Sequence, residues 1–185
     1  MNKISAVSFC CLLLLGAAFP EVADSAANGF TIKITTNIHA APAEVYQRIL
    51  RVSEWWNSAH TFSGSAQNLS MEERAGGCFC EKLPNGGSVR HLQVVFVQPG
   101  KMLRLYGGLG PLQAMAATGP MTFSLAAADS GTRLDLSYIV TGYFAESTGT
   151  KWPPAVDKVL SEQITRLKNY IETGNPAGNA PQQKH

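Results

Sequence analysis

The sequence predicts a single α+β domain in which one long C-terminal helix lies across a curved antiparallel sheet. Three observations indicate this architecture: a strand and two short helices at the start, a run of strands separated by glycine and proline turns, and a long amphipathic helix at the end. A chain of 185 residues, 45% of them hydrophobic, can bury one sizeable core. Because the helices flank the strands and do not alternate with them, the order favours α+β over a parallel α/β sheet.

The first elements follow from alternation and from residues that favour helix starts. Residues 30–38 alternate apolar and polar side chains, as a half-buried strand does. Pro42 suits the first position of a helix, and Glu44 suits the positive end of its dipole. A second short helix is predicted over Ser53–Trp56, with Ser53 as its N-cap.

Six further strands are predicted at residues 67–73, 78–83, 89–98, 102–106, 121–127 and 133–144. Glycine-containing turns separate several of them, at Asn85-Gly86-Gly87, Pro99-Gly100-Lys101 and Asp129-Ser130-Gly131. Strands separated by such short turns are typical of an antiparallel meander. Residues 107–119 are rich in glycine and alanine, and two interpretations stand open for them: a mobile flap over a cavity, or a loosely packed connection.

The last helix is predicted after Pro153, because apolar side chains recur at three- and four-residue steps: Val156, Val159, Leu160, Ile164, Leu167 and Ile171. Gly174 suits the residue that ends such a helix. Residues 174–185 show no periodicity and are predicted to be a disordered tail. The folded domain is therefore predicted over residues 28–173.

The N-terminus has the pattern of a secretory signal peptide. A positive start at Lys3 precedes an uncharged run over residues 4–19, and small residues follow at 23–27. The run is shorter than the ~20 residues that a membrane-spanning helix needs, so no stable membrane span is predicted. We expect cleavage near residues 25–28, loss of residues 1–27 and export to the periplasm. An uncleaved anchor or a core helix is the alternative interpretation.

The charge distribution and the residue spacing exclude several function classes. Fifteen basic and thirteen acidic side chains give a formal charge of +2 without a block of like charges, which argues against nucleic acid as a partner. No Ser or Asp stands at a recognisable spacing from His91 to complete a nucleophile–base set. No ligand spacing indicates a metal site. The sequence therefore predicts no catalytic residue, no metal and no cofactor.

Cys78-Phe79-Cys80 is the most unusual motif of the chain. On a strand, residues two apart project from the same face, so the two sulfurs point the same way. One interpretation is a redox-active or reversible disulfide, whose Cα atoms in an extended strand would be roughly 6.5 Å apart, near the upper limit for a bridge. The other is a pair of small apolar residues in a cavity wall, which is favoured because buried thiols are common and need no reactivity.

A series of short motifs runs in order through residues 30–173: Ile38–Tyr46, Glu54-Trp55-Trp56, Gly76-Gly77 with Glu81, Val97 with Pro99 and Leu103, Gly131–Leu134, and Leu167–Ile171. Their order resembles that of the START-like superfamily (SRPBCC, Bet v 1-like), within it the branch of Hsp90 ATPase activators and polyketide cyclases. The resemblance implies the helix-grip fold, with about six to seven strands wrapped around the long helix and a cavity for small apolar molecules between them. It implies no single chemistry, because the superfamily includes carriers, receptors, cyclases and co-chaperones.

Eight residues are candidates for the lining of this cavity: Trp55, Trp56, Cys78, Cys80, His91, Tyr106, Phe123 and Tyr138. The leading hypothesis is an exported protein that binds a small hydrophobic ligand or lipid. The first alternative is a cyclase- or dehydratase-like enzyme, which convergence of Arg90 or His91 on Tyr138 would favour. The second is a co-chaperone-like interaction module, which a large exposed apolar patch would favour.

Overall fold

The computed structural model describes residues 21–144 and 151–178, which form one antiparallel sheet with a long helix packed across it. The strands are β1 (Glu21–Ala26), β2 (Gly29–Ile38), β3 (Leu69–Met71), β4 (Cys78–Lys82), β5 (Ser88–Gln98), β6 (Met102–Gly107), β7 (Ala117–Ala128) and β8 (Gly131–Gly142). The α-helices in these ranges are α1 (Pro42–Leu50), α2 (Val52–Trp55) and α3 (Trp152–Thr173). The sheet order is β1-β2-β8-β7-β6-β5-β4-β3. The predicted helix-grip architecture is confirmed, with one strand more than the six or seven expected.

The apolar face of α3 covers the concave side of the sheet. Val156, Leu160, Ile164 and Leu167 are buried at the three- and four-residue steps that place them on one face of the helix. The alternating apolar residues of β2 meet them from the sheet. Gly174 ends the helix in the left-handed conformation, with φ of 75°, as predicted.

The eighth strand, β1, lies inside the segment that the sequence predicts to be removed with the signal peptide. It pairs antiparallel with β2, from Glu21 opposite Lys33 to Ala26 opposite Gly29. Cleavage near residues 25–28 would remove β1 and leave β2 as an edge strand, whereas cleavage before Glu21 would retain it. Residues 1–20 of the predicted signal peptide lie outside the described residues.

Several predicted boundaries shift for local reasons. Arg51 is the N-cap of α2, and Ser53 lies within the helix without making a capping hydrogen bond. The strand predicted at residues 67–73 shortens to β3, because Ala66–Asn68 form a 3₁₀ turn before it. The segment predicted as a flap or connection divides into a 3₁₀ helix over Gly110–Met115 and the start of β7.

The predicted tail begins with a hydrogen-bonded turn. The Asn175 side chain donates to the carbonyl of Gly178 at 2.9 Å and accepts from the N–H of Ala177 at 3.1 Å. Residues 179–185 lie outside the described residues.

The convex face of the sheet carries a few partly exposed large apolar side chains. Val95, Phe96, Tyr106 and Ile139 are each between 42% and 48% exposed. The Arg104 guanidinium covers part of this surface, with its carbon 5.7 Å from the centre of the Phe96 ring. Nothing on this face identifies a partner, and the interaction-module hypothesis stays a prediction.

Candidate functional site

A cavity of about 310 Å³ lies between the N-terminal half of α3 and the end of the sheet formed by β3, β4 and β5. Four aromatic rings line it: Trp56, Phe62, Phe79 and Trp152. The helix α3 contributes Ala155, Val156, Val159 and Leu160. Residues 109–112, from the segment predicted as a flap or a connection, and residues 59–62, which follow α2, also line it. The cavity is therefore mainly apolar, and its walls come from α3, from strands β3–β5, from the segment after α2 and from residues 109–112.

The two adjacent tryptophans divide between the core and the cavity, because Trp55 is the last residue of α2 and the chain becomes extended at Trp56, with φ of −64° and ψ of 143°. Trp55 is 1% exposed in the core and donates its indole N–H to the carbonyl of Arg48 at 2.9 Å. Trp56 lines the cavity and donates to the carbonyl of His60 at 3.0 Å. Its ring meets Phe79 edge-on at 5.6 Å, an arrangement that aromatic pairs favour.

His91, in the wall of the cavity, forms a buried polar pair with Glu81. The side chain of Glu81 is fully buried, and its Oε2 lies 2.9 Å from Nε2 of His91. The same carboxylate accepts from the N–H of Phe62 at 3.1 Å and from the N–H of Ser63. His91 lines the cavity, where its ring stacks on Phe62 at 5.8 Å and contacts Phe79 at 5.1 Å.

A β-bulge turns His91 towards the interior. Phe79 pairs with Leu92, but the next residue of β4, Cys80, pairs with Arg90, so His91 is the extra residue of β5. A bulge places two consecutive residues on one side of a strand, and His91 and Leu92 are both buried. Arg90 is correspondingly exposed on the convex face.

The hydrogen bonds determine the protonation of this pair. Burial alone raises the pKa of Glu81, but the hydrogen bonds from Ser63, Phe62 and His91 outweigh it and hold that pKa below its usual value. Desolvation lowers the pKa of His91 below 6.5, although Glu81 opposes the shift. Protonation of His91 would also place an N–H on Nδ1, which has no hydrogen-bond partner among the described residues. We therefore assign a carboxylate at Glu81 and a neutral imidazole, protonated on Nε2, at His91.

Glu81 was not among the residues expected in the cavity. Its motif, Gly76-Gly77 with Glu81, contributed to the resemblance but suggested no role. The signal in the sequence was an acidic residue directly after the apolar residues Cys78-Phe79-Cys80 of a predicted strand. Such a residue indicates a buried site with hydrogen-bond partners, because an acidic residue is rarely fully buried without partners.

The structure does not bring Cys78 and Cys80 into the cavity. Phe79 and Glu81 occupy the inner face of β4, so alternation places both cysteines on its convex face, where they are partly exposed. The two form a disulfide, with their Cα atoms 5.4 Å apart, instead of packing as free thiols in the cavity wall. This corrects the favoured interpretation of the motif. The redox-active or reversible character of this disulfide stays a prediction.

Three other expected lining residues also lie elsewhere. Tyr106 is 48% exposed on the convex face, and Phe123 is buried in the core. Tyr138 is fully buried beneath the segment that lines the cavity, and its hydroxyl donates to the carbonyl of Gly107 at 2.9 Å and accepts from the N–H of Leu109 at 3.0 Å. Burial raises the pKa of Tyr138 to about 12, so the phenol is neutral at physiological pH. The convergence of Arg90 or His91 on Tyr138 that would favour a cyclase is therefore absent from the described part of the chain.

Replacing Tyr138 with phenylalanine is expected to lower the free energy of unfolding by about 1–3 kcal/mol, because two partly buried backbone groups, the carbonyl of Gly107 and the N–H of Leu109, lose their partner. Urea denaturation measures this loss, and hydrogen exchange should show faster exchange of the Leu109 amide. Tyr143→Phe is the matched control, since Tyr143 is 78% exposed and should change stability by less than about 0.5 kcal/mol. Equal stability of the two variants would contradict the role assigned to the Tyr138 hydroxyl.

A second prediction concerns the redox state of Cys78 and Cys80 and the stability that their disulfide contributes. The intact mass of the purified protein should rise by two hydrogens on reduction, and Cys78 and Cys80 should resist alkylation until then. The double variant Cys78→Ser/Cys80→Ser should lose only about 1.5 kcal/mol of stability, because the bridge closes a very short loop. Alkylation of both cysteines without prior reduction would contradict the pairing.

The described residues meet the requirements neither of a metal site nor of a membrane-spanning helix. Within residues 21–144 and 151–178, no group of three or more His, Cys, Asp or Glu side chains is placed to hold a metal ion. Among the helices of those same ranges, none has the length and the apolar character needed to cross a membrane.

The sheet, the long helix across it and the cavity between them define a helix-grip protein. Similar solved structures include the Aha1 dimer from Colwellia psychrerythraea, at 18% identity and a TM-score of 0.55 over 78% of this chain and 97% of that chain. A conserved protein of unknown function from Enterococcus faecalis, EF2215, is 16% identical with a TM-score of 0.59 over 91% of this chain and 82% of that chain. CalU16 from Micromonospora echinospora is 16% identical with a TM-score of 0.55 over 90% and 86%.

Neither the comparison with protein-family models nor that with curated proteins finds a match. At identities of 16–18%, the structural likeness establishes the fold alone. The function has to be argued from the cavity.

Proposed function

We propose that this protein binds a small, largely apolar molecule in the cavity between α3 and strands β3–β5. The observation that carries the proposal is the cavity itself, about 310 Å³ in volume and lined by aromatic and aliphatic side chains with one buried polar pair. Small-molecule sites are typically concave and mostly apolar, begin at about 300 Å³, and contain a few placed polar groups.

The core packs tightly beside the cavity without filling it. Met121 and Phe123 are buried in the core and do not line the cavity. The aromatic wall is held in place by its own contacts, since Trp56 is anchored through its indole N–H and Phe79 packs against both Trp56 and His91. Such a preformed wall reduces the entropy cost of binding.

The first test is native mass spectrometry of the protein purified from the cells that produce it, followed by denaturing extraction of any released molecule. A bound apolar molecule at near-stoichiometric amount is the expected result. A protein that is empty and gains no thermal stability from a panel of lipids and aromatic compounds would contradict the proposal, because a ligand that binds only the folded state must raise its stability.

We also propose that the protein acts outside the cytoplasm. The signal-peptide pattern of residues 1–27 supports this, and so does the Cys78–Cys80 disulfide, since such bonds persist mainly in oxidising compartments. N-terminal sequencing of the protein recovered from the periplasm tests the proposal. A mature protein that starts near residues 25–28 would also show that β1 is dispensable, and an intact Met1 would contradict export by cleavage.

A second candidate is a cyclase- or dehydratase-like enzyme that uses the same cavity, and the Glu81–His91 pair is the observation that favours it. A neutral histidine oriented by a carboxylate is a suitable general base near neutral pH. If the pair acts in this way, acidic C–H protons of the bound molecule should exchange with deuterated water faster in the wild-type protein than with His91→Gln. Equal exchange would leave binding as the function of the cavity.

A further inference from the structure

We infer that the ligand of this cavity is uncharged and presents a hydroxyl, or another O–H or N–H donor, to Nδ1 of His91. The inference rests on the proposed binding function and adds the chemical class of the ligand. Three features of the cavity support it in turn: the hydrogen bonds that fix the imidazole, the unpartnered ring nitrogen, and the charge of the lining.

The carboxylate of Glu81 fixes which ring nitrogen carries the proton. Both of its oxygens accept backbone N–H groups, from Phe62 at Oε2 and from Ser63 at Oε1, which an ionised carboxylate does best. Its contact with Nε2 of His91 at 2.9 Å then requires the hydrogen on that nitrogen. In the neutral ring, Nδ1 consequently carries a lone pair and acts only as an acceptor.

The acceptor at Nδ1 is buried and unpaired within the described residues. His91 is 5% exposed, lies in the cavity wall and is held between the rings of Phe62 and Phe79, so it cannot turn towards solvent without breaking these contacts. Buried polar groups in folded proteins nearly always have a partner, and an exception calls for an explanation. A donor on the bound molecule would supply that partner from within the cavity.

The charge of the lining favours a neutral donor over an acid. The lining residues that the structure describes include no lysine and no arginine. The other lining histidine, His60, is engaged by Glu162, with Nε2 and Oε2 3.1 Å apart. A carboxylate or phosphate in the cavity would lie near the ionised Glu81 without a cation to balance it, which is costly at a buried site. Alcohols and phenols of mainly hydrocarbon character fit all three features.

Two matched ligand series test the inference in the wild-type protein by calorimetry at neutral pH. The aromatic series is thymol, thymol methyl ether and cuminate; the aliphatic series is geraniol, geranyl methyl ether and geranate. Each ether lacks the donor and differs from its alcohol only by the added methyl group, and each acid is ionised. We expect the alcohol of at least one series to bind about tenfold more tightly than its ether, with the acid weakest, as loss of one buried hydrogen bond predicts.

A variant assigns the preference to His91. In His91→Phe the preference of the protein for alcohol over ether should fall to about one, while the ether binds as it does to the wild type. If the substitution prevents folding, the two ligand series measured with the wild-type protein still test the inference. Equal affinity for alcohol and ether, or tightest binding of the acid, would overturn the inference and leave the binding function intact. Failure of both alcohols to bind would also overturn the inference. Native mass spectrometry of any co-purified molecule would then test the binding function separately.

Discussion

Replacement of Glu81 with alanine is expected to destabilise the protein by about 3 kcal/mol or more. The substitution removes the acceptor of three donors at once, the N–H groups of Phe62 and Ser63 and Nε2 of His91. Each donor left buried without a partner costs about 1–3 kcal/mol, and the largest of these costs should fall on the fully enclosed imidazole. Urea denaturation with a common slope for both proteins measures the difference.

Two control variants test whether the loss of stability is specific to the carboxylate of Glu81. Glu54 is exposed on α2, and Glu54→Ala should change the free energy of unfolding by less than about 0.5 kcal/mol. Glu81→Gln retains the shape and one acceptor oxygen, so its stability should lie between those of the wild type and Glu81→Ala. If Glu81→Ala proved as stable as Glu54→Ala, the hydrogen-bond network around Glu81 would not support this end of the sheet.

The same pair predicts how stability depends on pH. In the unfolded chain His91 takes up a proton near pH 6.5, its ordinary pKa. In the folded protein its lowered pKa keeps the imidazole neutral to lower pH. The unfolded state therefore binds more protons below 6.5, and stability falls as the pH decreases. Glu81 adds a similar loss only below about 4.5, since its folded pKa is lowered from that value. Between these two limits, His91→Gln should show a weaker decline than the wild type; parallel curves would contradict the assignment.

Replacement of Val159 with tryptophan is expected to weaken ligand binding strongly without a comparable loss of stability. Val159 lies on α3, is partly buried and faces the cavity, so the larger ring would occupy space that the ligand needs. We expect affinity to fall about hundredfold, equivalent to ~2.7 kcal/mol. The amount of co-purified molecule per chain, measured by native mass spectrometry, reports the effect directly.

Lys158→Trp is the matched control for this substitution, because Lys158 is the exposed neighbour on α3 and does not line the cavity. It introduces the same ring at the surface and should leave ligand occupancy unchanged. Undiminished occupancy in Val159→Trp would place the ligand elsewhere, for example in the groove beside Arg90 and Tyr106 on the convex face. Unfolding of Val159→Trp would be visible as a lower Tm, and Ala155→Trp then provides a second position at the cavity.

The order and type of most elements can be predicted from the amino-acid sequence alone. Alternation predicted β2, three- and four-residue periodicity predicted α3, and Asn85-Gly86-Gly87 predicted a hairpin in which Asn85 and Gly86 adopt positive φ. These signals are local, since each depends on neighbouring residues along the chain. The strand β1 was missed because its six residues resemble the small-residue end of a signal peptide.

Which side chains face the cavity depends on how distant parts of the chain pack together, and local sequence does not specify it. Alternation separates Cys78 and Cys80 from Phe79 and Glu81 but does not say which pair faces inward, because that depends on what covers each face of the sheet. The bulge at His91 then reverses the alternation of β5 at one residue, and it arises from pairing with β4, a partner that local sequence does not specify. The Glu81–His91 pair exists because two strands meet in this register, and a one-residue slip between β4 and β5 would turn one of the two side chains to the opposite face of the sheet.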